Sequence, residues 1–234
     1  MQSLKTASLF LLAQAITASP VGQLQERSCP GIHVFGARET TASPGYGSAG
    51  TVVDLILNSH SGSTAEAINY PACGGQASCD SISYASSVID GISAVVSQVN
   101  TFNEECPDTQ LVLVGYSQGG QIFDDSFCGG GDLNEGYTNT AVPLSASAVN
   151  MIKAAIFMGD PRYRYGFTYD VGTCTAYGFA ARPAGFVCPS GSKIKSYCDA
   201  SDPYCCNGDN PATHQGYGAE YGERALAFVN SLLS

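Results

Sequence analysis

Leu111-Val112-Leu113-Val114 is an unbroken apolar run that leads directly into Gly115-Tyr116-Ser117-Gln118-Gly119. Four consecutive apolar residues between polar neighbours fit a central strand covered on both faces. Gly115 breaks the run, and a helix-compatible segment begins near Ser117. The G-x-S-x-G pattern alone carries little weight. With 27 Gly and 26 Ser in 234 residues, chance supplies ~0.3 matches. Between a buried strand and a helix, however, it is a nucleophile elbow: a sharp turn that presents the serine while small glycines let strand and helix approach. The helix N-terminus then points at any oxyanion that forms there. An ordinary Gly-rich turn with a capping serine is the competing reading, and the flanking segments weigh against it.

The rest of the chain alternates in the same way. Ile32 to Phe35, Ala65 to Tyr70, Ala154 to Met158 and Lys193 to Tyr197 read as further strands. Helices are expected over Thr51 to Leu57, about Ser83 to Asn103, and around Tyr221 to Leu232. In the longest, Val88, Ile92, Val95, Val99 and Phe102 recur at the spacing of one buried face. Such alternation predicts an α/β fold: five parallel strands in a small, doubly wound three-layer sandwich, with reacting groups on loops beyond the carboxyl ends of the strands. The Gly/Tyr/Arg-rich stretch from about Arg162 to Ser192 shows little period.

The N-terminus reads as an address. Lys5 precedes an apolar stretch from Leu9 to Ala18, too short to span a bilayer and fitting a secretory signal, so residues 1–18 are expected to be removed. Residues 19–27 read as a short pro-segment and 28–234 as one catalytic domain. That domain carries 8 basic and 19 acidic side chains, a balance that repels nucleic acid and anionic membranes. The expected ligand is therefore neutral. All 10 cysteines lie in it, and an even count behind a secretion signal reads as five disulfides in an extracellular protein. A zinc site on Cys198, Cys205 and Cys206 lacks paired C-x-x-C knuckles, so no metal is expected. There is no N-x-S/T sequon.

A serine hydroxyl needs a base. Of three histidines, His33 falls inside the first strand and reads as core, and His60 sits in a solvated turn upstream of the elbow. His214 lies between the last strand and the last helix, at the carboxyl edge of the sheet and in the chain order of serine, acid, histidine. Asp199 and Asp202 follow the fifth strand and Asp160 follows the fourth. Asp202 is favoured because its loop approaches that of His214; Asp160 remains a competitor. The oxyanion hole needs two donors, for which the Gln118 N–H and Thr40 are the candidates.

Four segments taken together carry a family resemblance: His33-Val34-Phe35-Gly36-Ala37-Arg38-Glu39-Thr40, Asn69-Tyr70-Pro71-Ala72-Cys73, Val114 to Gly120, and Tyr197-Cys198-Asp199-Ala200-Ser201-Asp202-Pro203-Tyr204-Cys205-Cys206. With them the chain resembles the fungal acetylxylan esterases of the cutinase-like group, carbohydrate esterase family 5, from Ser28 to the C-terminus. The resemblance implies an α/β-hydrolase fold, a Ser117–His214–Asp202 triad, Thr40 and Gln118 at the oxyanion hole, and Tyr204 beside the substrate. It also implies the pairings Cys29–Cys106, Cys73–Cys79, Cys128–Cys188, Cys174–Cys206 and Cys198–Cys205. It implies no cofactor, acetylated xylan as substrate and a monomer.

Three readings compete: a cutinase acting on lipid polyester, a non-catalytic secreted binding or effector protein on the same scaffold, and a protease. The stretch from Pro203 to Asn210 is polar and cysteine-rich, where a long-chain esterase is expected to expose an apolar rim. No carbohydrate-binding module is read after residue 234, so polysaccharide contact is expected from the catalytic domain itself.

Overall fold

The computed structural model describes residues 29–234; the expected signal peptide and pro-segment lie outside the described residues. Six parallel strands form one sheet: β1 (Ile32–Ala37), β2 (Thr64–Ala67), β3 (Gln110–Tyr116), β4 (Ile152–Met158), β5 (Asp170–Val171) and β6 (Ile194–Tyr197), in the order β2-β1-β3-β4-β6-β5. The apolar run is the central strand. Its alternate residues divide between two cores, as period-two side chains must. Leu111 and Leu113 join Phe35, Ala155 and Phe157 under helices α2 (Tyr84–Glu105), α3 (Gln118–Cys128) and α4 (Ala146–Met151). Val112 and Val114 join Val34, Ile156 and Met158 under α1 (Gly50–Ser59) and α6 (Tyr217–Leu232). Helices on both faces make the three-layer sandwich.

The sheet has one strand more than expected. β5 is a two-residue edge strand paired with β6 through Asp170–Ser196 and Val171–Tyr197. It carries no apolar period because it is an outlying piece of the long loop, shaped locally by the Asp170 carboxylate accepting the Gly166 and Phe167 N–H groups at 2.9 and 2.8 Å. β2 is shorter than expected. Beyond Ala67 the chain leaves the ladder, and Ile68 and Tyr70 turn into the core.

The loop from Gly159 to Ser192 is held by buried charge. Arg162 donates to Asp132 Oδ1 at 2.9 Å and to the Gly131 carbonyl at 2.8 Å, and Arg182 donates to Asp124 Oδ2 at 2.9 Å. Both guanidinium groups also stand 3.1–3.2 Å from Asp125 Oδ1, as ion pairs outside hydrogen-bond geometry. Buried charges persist only when paired in this way. The ten cysteines form five disulfides: Cys29–Cys106, Cys73–Cys79, Cys128–Cys188, Cys174–Cys206 and Cys198–Cys205. The Sγ atoms of Cys174, Cys198 and Cys206 lie within 4.8 Å of one another. Two of the bridges bring them together, and an oxidised pair offers no thiolate to a metal. Among the described residues no helix is long and apolar enough to cross a membrane.

Candidate active site

Ser117 sits where β3 becomes α3, at φ 51° and ψ −119°. For a non-glycine residue that geometry costs about 1–3 kcal/mol, and the surroundings enforce it. The Ser117 N–H donates to the Met158 carbonyl at 2.8 Å, so the turn is pinned to the neighbouring strand. A Cβ on Gly115 would stand 2.5 Å from the Gly119 carbonyl oxygen, and one on Gly119 only 2.1 Å from that of Ala37. Both elbow glycines are therefore needed for backbone to pass backbone. α3 starts at Gln118, and the N–H groups of a helix's first turn have no intrahelical acceptor.

His214 ends α5 (Pro211–His214), a single turn opened by Pro211 at its first position and capped by Asn210, whose side chain accepts from the Ala212 N–H at 3.1 Å. Its Nδ1 lies 2.7 Å from Asp202 Oδ2. Asp202 is fully buried and richly solvated by the protein. Tyr217 donates its hydroxyl to Oδ2 at 2.7 Å, while the Tyr204 and Cys205 N–H groups donate to Oδ1 at 2.7 and 3.1 Å. Burial pushes this carboxyl up, but the His214 contact, the Tyr204 N–H and the Tyr217 hydroxyl outweigh it and hold it below the ordinary carboxylate range. Asp202 is thus an anion locked against one edge of the imidazole.

The other two candidate acids are engaged elsewhere. Asp199 accepts from the Thr173 N–H and hydroxyl at 2.9 and 2.8 Å and from the Tyr221 hydroxyl at 2.9 Å. Asp160 is buried beside α3 and accepts the Arg162 N–H at 2.8 Å; burial and the nearby Asp124 charge push its carboxyl up. His33 lies in β1, stacked on Phe102 at 3.9 Å and bonded through Nδ1 to the Thr64 hydroxyl at 2.6 Å. Burial lowers its pKa to about 4. His60 caps α1 and contacts Asn230 at 2.8 Å.

Ser117 and His214 line one cavity of about 810 Å³, together with Thr40, Tyr204, Tyr84 and Phe179. The Thr40 loop is fastened by Arg38, which donates to the carbonyls of Ala42 at 3.0 Å and Pro71 at 3.2 Å and lies over the Tyr70 ring. Gln118 spends its side chain inward, accepting from the Ser87 hydroxyl at 2.9 Å and donating to the Cys73 carbonyl at 3.1 Å; its backbone N–H is left at the helix start. The Tyr204 ring lies 4.6 Å from that of His214.

Three supporting residues escaped the sequence reading. The Tyr116 hydroxyl donates to the His214 carbonyl at 2.6 Å, Tyr217 holds Asp202, and Gly159 packs so closely that a Cβ there would meet His214 Cε1 at 2.7 Å. Tyr116 did leave a trace, as a polar ring closing an apolar strand. Tyr217 and Gly159 left none, because no local pattern marks the contacts they make.

Residues 28–233 match the cutinase family. Acetylxylan esterase 2 of Talaromyces purpureogenus is 70% identical over 224 residues, covering 95% of this chain and 96% of its own. Cutinase 11 of Verticillium dahliae is 68% identical over 231 residues, covering 99% and 78%. A solved acetylxylan esterase, 72% identical, superposes with a TM-score of 0.88 over 88% of this chain and 100% of that one. A match along the whole described chain, on the fold built above, makes this protein a member of the cutinase family of α/β-hydrolases.

Proposed function

We propose that this protein is a secreted serine esterase that removes acetyl groups from acetylated xylan. The observation that carries the reading is the ionised Asp202 held 2.7 Å from His214 Nδ1, in a cavity that His214 shares with the strained elbow serine. Asp202 fixes the tautomer that leaves His214 Nε2 as the base. His214 takes the Ser117 proton as the hydroxyl attacks the acetyl carbonyl. The Gln118 N–H and Thr40 receive the oxyanion. His214 then gives that proton to the departing sugar oxygen as its bond to the acetyl carbon breaks, leaving acetyl on Ser117. Water, deprotonated by His214, attacks the acyl-enzyme, and acetate leaves as the serine recovers its proton.

Relatives named for both activities match this chain at 68% and 70% identity, so the acyl group must be argued from the cavity. Tyr204 is tethered by its neighbours Cys205 and Cys206, whose bridges run to Cys198 and Cys174, and its ring stands against His214. A bulky ring placed there favours a short acyl chain. The rim is not wholly polar, however, because Phe179 is exposed at the same mouth.

Acetate release from acetylated xylan, measured beside a polyester film, tests the reading. Ser117→Ala and His214→Ala are each expected to lower kcat on the order of 10⁴ to 10⁶-fold, because the residues act as a unit. Near-parental activity in either variant, or release from the polyester alone, overturns it.

A further inference from the structure

The catalytic cavity opens onto apolar surface that the fold itself does not use. Phe179 and Tyr204, at 54% and 42% exposure, line the cavity; Tyr165, at 60%, lines a second, open cavity of about 680 Å³ with Phe167 and Phe186. Tyr177, at 58%, lies on a short two-ply ribbon whose partner residue, Arg164, lines the second cavity. Its backbone bridges antiparallel to Arg164, the Gly178 N–H donates to the Tyr163 carbonyl at 3.0 Å, and the Tyr165 N–H donates to that of Ala176 at 3.0 Å. At the other end the Phe179 N–H donates to the Tyr204 carbonyl at 3.2 Å. Side chains alternate along a strand, so Tyr177 and Phe179 share one face of the ribbon with Arg164, while Tyr165, opposite Ala176, takes the other; Arg164 and Tyr165 line the second cavity.

These rings are fixed as well as exposed. The Arg164 guanidinium lies 4.8 Å from the Tyr177 centroid. Phe179 packs edge-on against Tyr84 at 5.5 Å, and the Tyr84 hydroxyl is anchored to Gln121 at 2.6 Å. Gly178 seats the ribbon so closely that a Cβ would lie 2.3 Å from the Pro161 carbonyl oxygen. Contiguous exposed apolar surface marks a contact site, and rings ordered in advance bind with little further loss of entropy. A formal net charge of −10 repels polyanions and anionic bilayers, so the matching ligand is neutral, with flat C–H-bearing faces.

We propose that this ribbon is a platform for the xylan main chain, on which successive xylose rings stack as the chain passes from the catalytic cavity over Phe179 and Tyr177 to the second cavity. The proposal rests on the acetylxylan reading of the active site and adds where the polymer lies. Affinity electrophoresis in gels containing deacetylated xylan tests it independently of ester chemistry. The parent protein is expected to be retarded, and Tyr177→Ala to bind about three- to tenfold more weakly, as loss of one aromatic contact implies. Hydrolysis of p-nitrophenyl acetate by Tyr177→Ala is expected to stay at the parental rate, with KM for acetylated xylan raised and kcat kept. An unretarded parent, or a variant retarded like the parent, overturns the platform. So does a variant that keeps xylan binding and loses adsorption to phosphatidylcholine vesicles, which would assign the ribbon to lipid. Retardation without acetate release from acetylated xylan supports the platform and counts against the substrate reading alone.

Discussion

The Tyr217 hydroxyl reaches Asp202 at Oδ2, the oxygen that His214 Nδ1 also meets, and both contacts measure 2.7 Å. Tyr217 thus shares in setting the charge and aim of the carboxylate, although it lies on a different helix from the histidine. Tyr217→Phe leaves the two backbone donors to Oδ1 in place. With p-nitrophenyl acetate its kcat is expected to fall about ten- to hundredfold at nearly unchanged KM, the scale of one hydrogen bond to a charged group. Asp202→Asn is expected to cost ~10⁴, because the tautomer itself is lost. The two effects also separate by pH. The Asp202 carboxyl is depressed in the fold, so its stabilisation is present above the ordinary carboxylate range and is lost as pH falls through its lower folded value. Removing a donor raises that value, and the acid unfolding midpoint of Tyr217→Phe should move to higher pH. A variant equal to the parent in both measurements would show that the hydroxyl is idle.

Gly119 is the tightest point of the elbow. Since a Cβ there would stand 2.1 Å from the Ala37 carbonyl oxygen, Gly119→Ala must push β1 and α3 apart. A loss of about 3 kcal/mol or more is expected, the upper range for overpacking, read as a lowered urea midpoint. Activity should fall with it, because the same displacement moves Thr40 away from Ser117. Parental stability in this variant would refute the close approach.

Tyr204→Ala probes the acyl pocket. Removing the ring that stands 4.6 Å from His214 should raise the butyrate-to-acetate rate ratio on p-nitrophenyl esters by about tenfold, since one methylene is worth roughly 1–3 kcal/mol in such pockets. An unaltered ratio places the chain-length limit on another wall.

His33 should make the fold acid-sensitive. Burial disfavours its imidazolium and lowers the pKa from 6.5 to about 4, whereas the unfolded chain takes up the proton below 6.5. The stability tied to neutral His33 is therefore intact above pH 6.5 and lost as pH falls toward 4. The partly exposed Glu66, 4.0 Å from Nε2, does not reverse that sign. His33→Phe should flatten the stability-versus-pH curve in this window by at most about 1.4 kcal/mol per pH unit. Parallel curves for parent and variant would exclude the effect.

How far each element could be read in advance follows the range of the forces that make it. α2 was visible because its buried face repeats locally, and β3 because a strand covered on both sides must be apolar throughout. β6 was read one residue early, since Gly191–Lys193 closes a 3₁₀ turn before Ile194 enters the ladder. β5 was invisible: two residues, Asp170 and Val171, are shaped by a neighbour strand 26 positions away and by no pattern of their own. Within the candidate site, the placement of Ser117 at a strand-to-helix turn and of His214 in the same cavity was legible from residue type, chain order and the strand preceding each. Asp202 was separable from Asp160 only in part, since the difference lies in which loop bends toward the imidazole. The clamps by Tyr116, Tyr217 and Arg38 belong to tertiary geometry, where any of 13 tyrosines could have served.

None of the ten cysteines lies in a strand, yet two of the five bridges close on either side of Asp202 and Tyr204. Scaffold and chemistry therefore depend on different bonds. A host that synthesises the chain in a reducing cytosol would still supply every side chain the sheet needs, but would leave the acid's loop untied. Soluble yield is then a poor guide to quality for this enzyme, and a batch should be judged by titrating its competent serines.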